Sequence, residues 1–249
     1  MELNVIYNEE CIAGMDRIAD KSIDMILCDL PYGTTQCSWD TIIPFDKLWS
    51  QYERVIKDNG AIVLLAQTPF DKVLGASNLK LLRYEWIWEK TQATGHFNAE
   101  LAPMKAHENV LVFYKKAPVY NPQMTSGHKP VNSYVKYLST QNKTALYGKA
   151  TKELSGGGDT DRYPRSVITF ASDKQKNYLH PTQKPVALFE YLIKTYTNQG
   201  GVVLDNCMGS GTTAIACIIT ERNYIGFENE EVHYNTSIKR IREFKGLFG

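Results

Sequence analysis

The sequence predicts an α/β domain built on a mostly parallel sheet with helices on both faces. Two short, nearly continuous apolar runs, "SIDMILCD" at 22–29 and "AIVLLAQ" at 61–67, have the character of strands buried on both sides. A segment with helical spacing lies between them, and the strand-helix alternation returns near the end of the chain. Acids and glycines fall where the apolar runs stop, which in such sheets is where ligands bind.

Taken in order, "FDKLWSQYERVIKDNG" at 45–60 places Phe45, Leu48, Trp49, Tyr52, Val55 and Ile56 on one helical face, and Gly60 is its expected stop. "YEWIWEK" at 84–90 and "ENVLVFYKK" at 108–116 read as two further strands. "KPVALFEYLIKTYT" at 184–197 reads as a helix, with Pro185 suited to its first turn. The stretch "GVVLDNCMGSGTTAIACIITERNYIGFENEE" at 201–231 then gives strand, glycine loop, helix, strand and acid.

With 249 residues, 43% of them apolar, the chain can build a sizeable core. Neither an apolar run of membrane-spanning length nor a signal-peptide pattern is present, so a soluble, cytoplasmic protein is expected, with no membrane partner. The cysteines at 11, 28, 37, 207 and 217 are odd in number and lack Cys-x-x-Cys spacing; free thiols, and no metal site, are expected.

The net charge of +1 conceals a segregation. Residues 116–152 carry six lysines and no Asp or Glu, leaving −5 on the remainder, and tyrosines 120, 134, 137 and 147 are interleaved with them. No helical or alternating pattern persists there, so the window reads as an inserted, loop-rich segment. A solvated surface excursion is one reading. The other is a nucleic-acid surface in which Lys129, Lys136 and Lys143 meet phosphates while residues such as Asn132 and Tyr134 reach bases.

Two strand ends carry the chemistry. At Asp205–Gly211 a strand enters a helix through "DNCMGSG", and Glu228 closes the next strand 19 residues after Gly209. That is the pattern of a nucleoside-binding unit, with glycines for close backbone approach and a carboxylate for ribose hydroxyls. "GSGTT" lacks the lysine of a phosphate-binding loop, which argues against nucleoside triphosphates. At the other end, Asp29-Leu30-Pro31-Tyr32-Gly33 forms a stiffened turn, since Pro31 fixes its own φ and extends Leu30. The Asp29 carboxylate and the Leu30 carbonyl there offer two acceptors beside an aromatic ring, a set suited to a planar amino group on a heterocycle. Plain turn chemistry is the competing reading.

"DLPYG" resembles the Asp-Pro-Pro-Tyr motif of amino-directed DNA methyltransferases, and "LDNCMGSGTT" resembles their cofactor loop. "HPTQKP" at 180–185 is similar to the segment that precedes that loop, and the order of the motifs is that of the family's beta subclass, over essentially the whole chain. The resemblance implies a Rossmann-like S-adenosylmethionine-dependent methyltransferase sheet in circularly permuted motif order. It implies a single domain, 1–249, with 116–170 as an inserted target-recognition segment. Within it, Arg165 of "YPRSVITF" at 163–170 reads either as a phosphate contact or as an exposed turn residue. Asp29, Leu30, Pro31 and Tyr32 would then be catalytic. Asp205, Cys207, Gly209, Ser210, Gly211, Thr212 and Glu228 would bind the cofactor, with His180 and Lys184 at its methionine end.

Leu30 stands where the family has a proline, and Asn206-Cys207 where it has Pro-Phe, so the ring that would pack beside the cofactor's adenine is missing. The implied activity is methyl transfer to N6 of adenine in DNA. N4 of cytosine is the nearest alternative, its motif usually beginning with Ser where Asp29 stands, and a non-catalytic DNA-binding module is a third. No Pro-Cys pair is present for C5 chemistry. DNA is the implied partner; a homodimer and a companion restriction endonuclease remain open.

Overall fold

A computed structural model describes residues 1–35, 37, 40–131, 134–136, 154–172 and 183–246, with 134–136 and 154–156 as backbone. They form two compact units, Met1–Asn121 with Ser166–Gly249 and, separately, Pro122–Arg165.

The larger unit is built on β1 (Val5–Tyr7), β2 (Ile23–Asp29), β3 (Ile56–Ala66), β4 (Leu82–Thr94), β5 (Lys105–Phe113), β8 (Val167–Phe170), β9 (Val202–Asp205) and β10 (Asn223–Phe227). They lie in the order β1-β10-β9-β2-β3-β5-β4-β8. The first five of that order are mutually parallel, whereas β5 runs antiparallel to both β3 and β4. Side chains of β2 alternate between two cores: Met25 and Leu27 join the layer of α4 (Val186–Tyr196), α5 (Thr212–Ile219) and α6 (Glu231–Gly246), while Ile26 and Cys28 join that of α1 (Cys11–Met15), α2 (Phe45–Val55) and α3 (Phe70–Ser77). The central strand β2 is therefore covered on both faces, which is why it reads as a nearly continuous apolar run.

Gly60 does not stop α2. The helix ends at Val55 and β3 begins at Ile56, so Gly60 lies within the strand. A Cβ there would come within 2.8 Å of the Asp24 carbonyl oxygen and 2.7 Å of the Ile56 side chain, beside the register shift between Ile23 and Met25. The glycine serves close backbone approach, not helix termination. Pro185 likewise sits one place earlier than expected, at the N-cap of α4.

In the smaller unit, β6 (Tyr134–Lys136) and β7 (Leu154–Gly156) pair antiparallel, and Thr125 bridges Arg162. The Arg162 guanidinium donates to the carbonyls of Lys129, Asp159 and Asp161, fastening the two antiparallel segments together. Residues 116–121 and 166–170 belong to the larger unit, and Val167–Phe170 is a strand at the edge of its sheet.

Candidate active site

Beyond β9 the chain turns through 206–211 into α5. Gly209 and Gly211 have φ of +53° and +82°, conformations that disfavour a side chain, and a Cβ on Gly211 would lie 3.1 Å from that of Ser237. The Gly209 amide donates to Glu228 Oε2 at 2.7 Å and the Glu230 amide to Oε1 at 3.0 Å, so the acid beyond β10 braces the loop beyond β9. Each carboxylate oxygen retains acceptor capacity, and Glu228 lines the cavity; that capacity is what a ribose diol requires. Asp205 accepts from the Cys207 amide at 3.0 Å and from the Thr213 hydroxyl. Burial pushes its carboxyl up to about 6, against the opposing pull of the Thr213 bond. Asn206, where the family has proline, accepts from the Tyr52 hydroxyl of α2, so a buried amide is satisfied by a buried phenol. Cys207 lines the cavity.

At the end of β2, Asp29 accepts from the Tyr32 hydroxyl at 2.7 Å on one oxygen and pairs with the Lys184 ammonium at 2.8 Å on the other. Lys184 also reaches Glu108 at 3.2 Å, and Glu108 holds Lys90 at 2.8 Å, making a chain of two acids and two cations. Burial raises the Asp29 carboxyl above its ordinary value, and Lys184 opposes that rise. Glu108 is also pulled up by burial, but Lys184 and Lys90 together hold it below the ordinary range. Burial disfavours the Lys184 cation; Asp29 and Glu108 outweigh it and hold the ammonium charged. Burial and the Asp29 charge keep Tyr32 a neutral phenol.

The turn itself is fixed by one residue. Asp40 accepts backbone amides from Tyr32, Gly33, Thr34 and Thr35 at 2.7–2.9 Å. Phe70, at the start of α3, stacks on Tyr32 with centroids 5.1 Å apart and planes 24° apart. A cavity of about 330 Å³ joins the two strand ends, lined among others by Asp29, Tyr32, Lys184, Asp205, Gly209 and Glu228.

The structure thus brings Asp29, Leu30, Pro31, Tyr32, Lys184, Asp205, Cys207, Gly209, Ser210, Thr212 and Glu228 to one cavity. Gly211 is the N-cap behind it. Lys184 Nζ rests on Asp29 and Glu108. His180, Asn132 and Lys143 lie outside the described residues, Tyr134 and Lys136 lie in β6, and Lys129 and Arg165 are exposed on the smaller unit. Asp40, Lys90 and Glu108 complete the site without having been singled out in the sequence, and Phe70, in a Gln67-Thr68-Pro69-Phe70 strand end that reads as a plain turn, supplies a ring stacked on Tyr32. Their signals were an acid after "CSW", an aromatic after Thr68-Pro69, and charges inside apolar strands.

The model of the N6/N4 DNA methylase family matches residues 23–239. The chain belongs to that family. Among curated relatives, the type II methyltransferase M2.MboI of Moraxella bovis is 27% identical over 264 residues, covering 96% of this chain and 87% of that protein. M.HpaI of Haemophilus parainfluenzae is 26% identical over 95% of this chain and 74% of its own. Of solved structures, the M1.HpyAVI–SAM complex superposes with a TM-score of 0.61 at 23% identity, covering 94% of this chain and 98% of that one. The cytosine-N4-specific PvuII methyltransferase gives 0.67 at 12% identity, covering 97% and 90%. The chain is accordingly an amino-directed DNA methyltransferase with S-adenosylmethionine as methyl donor, and the braced glycine loop, Glu228 and Asp205 offer the close backbone and the acceptors that such a nucleoside requires. Among the described residues no helix is long and apolar enough to cross a membrane, and no cluster of side chains suits a metal.

Proposed function

We propose that this DNA methylase modifies adenine at N6 within a specific sequence, and that Asp29, standing where cytosine-N4 enzymes of the same design usually carry Ser, is the observation that carries the choice. An exocyclic amino nitrogen is a poor nucleophile because its lone pair is delocalised into the ring. Hydrogen bonds from the amino group to the Asp29 carboxylate and the Leu30 carbonyl favour a pyramidal nitrogen with a directed lone pair. Tyr32 and Lys184 each occupy one Asp29 oxygen, and a carboxylate has acceptor sites to spare. The bound cofactor supplies an electrophilic methyl on sulfonium. The amino group is out of reach inside a duplex, so the base must leave the stack, and Tyr32, stiffened by Phe70 and the Asp40 turn, is its platform.

Residues 116–170 are proposed as the target-recognition region, supported by the run of lysines without acids in 116–152 and by the separate compactness of Pro122–Arg165. The type II names of the relatives support a place in restriction-modification, beside an endonuclease of the same specificity. Nucleoside mass spectrometry of DNA incubated with the protein and S-adenosylmethionine should show N6-methyladenine; mainly N4-methylcytosine overturns the assignment.

A further inference from the structure

The ten residues joining β4 to β5, 95–104, present Phe97 and Leu101 to solvent with 102% and 87% exposure, and Met104 is also exposed. This is not a loose loop. A 3-10 turn spans His96–Asn98, and backbone bonds from Asn98 to Gly95, Ala99 to His96, and Leu101 and Ala102 to Asn98, all at 2.9–3.1 Å, fix it. A rigid turn that holds a phenylalanine wholly outside the fold is built to place that ring in something else.

Topology says what. β4 is parallel to β2 and β3, since each is antiparallel to β5 or parallel to its neighbour, so the loop leaves from the same end of the sheet as Asp29. Between β2 and β4 lie β3 and β5, three strand spacings or about 14 Å across the sheet. β4 runs on from Trp86, which is level with Asp29 through Leu65 and Val110, to Thr94, so the loop also stands roughly 25 Å beyond Asp29 along the strands. The cofactor loop lies on the opposite side of Asp29, at β9 and β10. The base of the loop is tied to the site: Lys105 Nζ donates to Gln67 Oε1 at 3.0 Å, and Gln67 is three residues before Phe70, the ring behind Tyr32.

We infer that Phe97 is a DNA-inserting wedge that fills the gap left in the base stack when the target nucleotide is swung into the cavity. Architectural DNA-binding proteins insert apolar side chains between base steps in the same way, and the gap is a hydrophobic slot that an aromatic ring stacks into. Leu101, one turn away, lies against the neighbouring sugar. The inference rests on DNA being the substrate and is independent of which base is methylated.

The test compares Phe97→Ala, Phe97→Trp and the unaltered protein in transfer of labelled methyl from S-adenosylmethionine to unmethylated plasmid DNA. Activity of the unaltered protein establishes the function itself. Phe97→Ala should lower kcat roughly tenfold, within the range of losing one base–aromatic stack. Its affinity for the plasmid and for the cofactor should stay within a few-fold of the unaltered protein's, and Phe97→Trp should restore most of the rate. A Phe97→Ala rate equal to the unaltered protein's refutes the wedge, as does equal loss in both variants or a loss wholly in DNA affinity. Sedimentation velocity on the same samples covers the remaining occupant: a dimer that falls to monomer in Phe97→Ala assigns the loop to a second copy and overturns the inference.

Discussion

Replacing Lys184 with methionine removes the cation shared by Asp29 and Glu108 while keeping most of the side chain's volume. Lys184 Nζ is 2.8 Å from one carboxylate and 3.2 Å from the other, and its side chain is 9% exposed. Breaking a buried pair of this kind costs about 3–5 kcal/mol, here toward the lower figure because the Asp29 side chain keeps 23% exposure. At about 2–4 °C per kcal/mol for a chain of this size, a loss near 3 kcal/mol lowers the thermal midpoint by about 6–12 °C. The pH dependence follows from the signs. Asp29 already has a raised folded value, so the native state holds its proton more readily than the unfolded chain, and the cost of ionising it grows as pH rises from the ordinary 3.8 through the folded value. Methionine at 184 raises that value further. Glu108 is depressed in the fold and contributes stability that is present above its ordinary 4.5 and lost as pH falls through the folded value; the variant forfeits much of it. The melting curves of the variant and the unaltered protein should therefore converge in acid and separate toward neutral pH.

In catalysis, an opposite charge at this range holds a carboxyl down by about 1–3 pH units, so the acid limb of kcat in Lys184→Met should move up by that amount. Glu108→Gln removes the negative charge that helps raise Asp29 and should move the limb the other way. Single-turnover methylation across pH 5–9 with saturating cofactor reads both. Acid limbs that stay in place, or move in the same direction in the two variants, refute the electrostatic coupling of Glu108 to Asp29 through Lys184.

Asp29→Ala should abolish methyl transfer and leave cofactor affinity nearly intact, whereas Glu228→Ala should weaken cofactor binding by about 1.5–3 kcal/mol, the worth of hydrogen bonds to a charged acceptor. Equal affinities of the two variants in calorimetric titration would remove Glu228 from the ribose site. Changing Lys129, Lys136 and Lys143 together to Gln should weaken binding to all duplexes alike and flatten the log–log salt dependence by roughly 0.9 for each phosphate that is no longer neutralised; an unchanged slope would take these lysines off the DNA. Exchanging 116–152 for the matching segment of another beta-subclass enzyme should change the methylated sequence, since lysine charges alone read no bases. An active hybrid that keeps the original sequence would move recognition elsewhere, to 153–170 foremost.

Sequence reading found the ends of β2, β9 and β10 because parallel strands deliver their last residues to the ligand edge, and Asp29, Asp205 and Glu228 stand there as acids at the close of apolar runs. Glu108 escaped the same reasoning for a geometric cause. β5 is antiparallel, so its first residues, not its last, meet that edge: Asn109 pairs with Ala66 at the end of β3. Its direction is set by pairing with β3 and β4, which no local pattern announces. Asp40 escaped because a carboxylate gathering four amides is a property of a folded loop, not of the residues around it. Gly60 was misread because a glycine after a helical pattern looks like a stop, while the demand it meets comes from Asp24 on the adjacent strand.

β1 has a consequence for how the enzyme comes into being. Its described pairing is with β10 alone, and β10 lies near the other end of the sequence, just before Glu228. At synthesis rates of about 5–20 residues per second, the first strand waits roughly 10–40 s for the strand that receives it. Asp29 and its turn are made early, yet the nucleoside half of the cavity does not exist until the last quarter of the chain has emerged. A fragment that stops short of β9 and β10 would therefore lack the glycine loop and Glu228 proposed to hold the cofactor, so methylating activity would wait for those two strands.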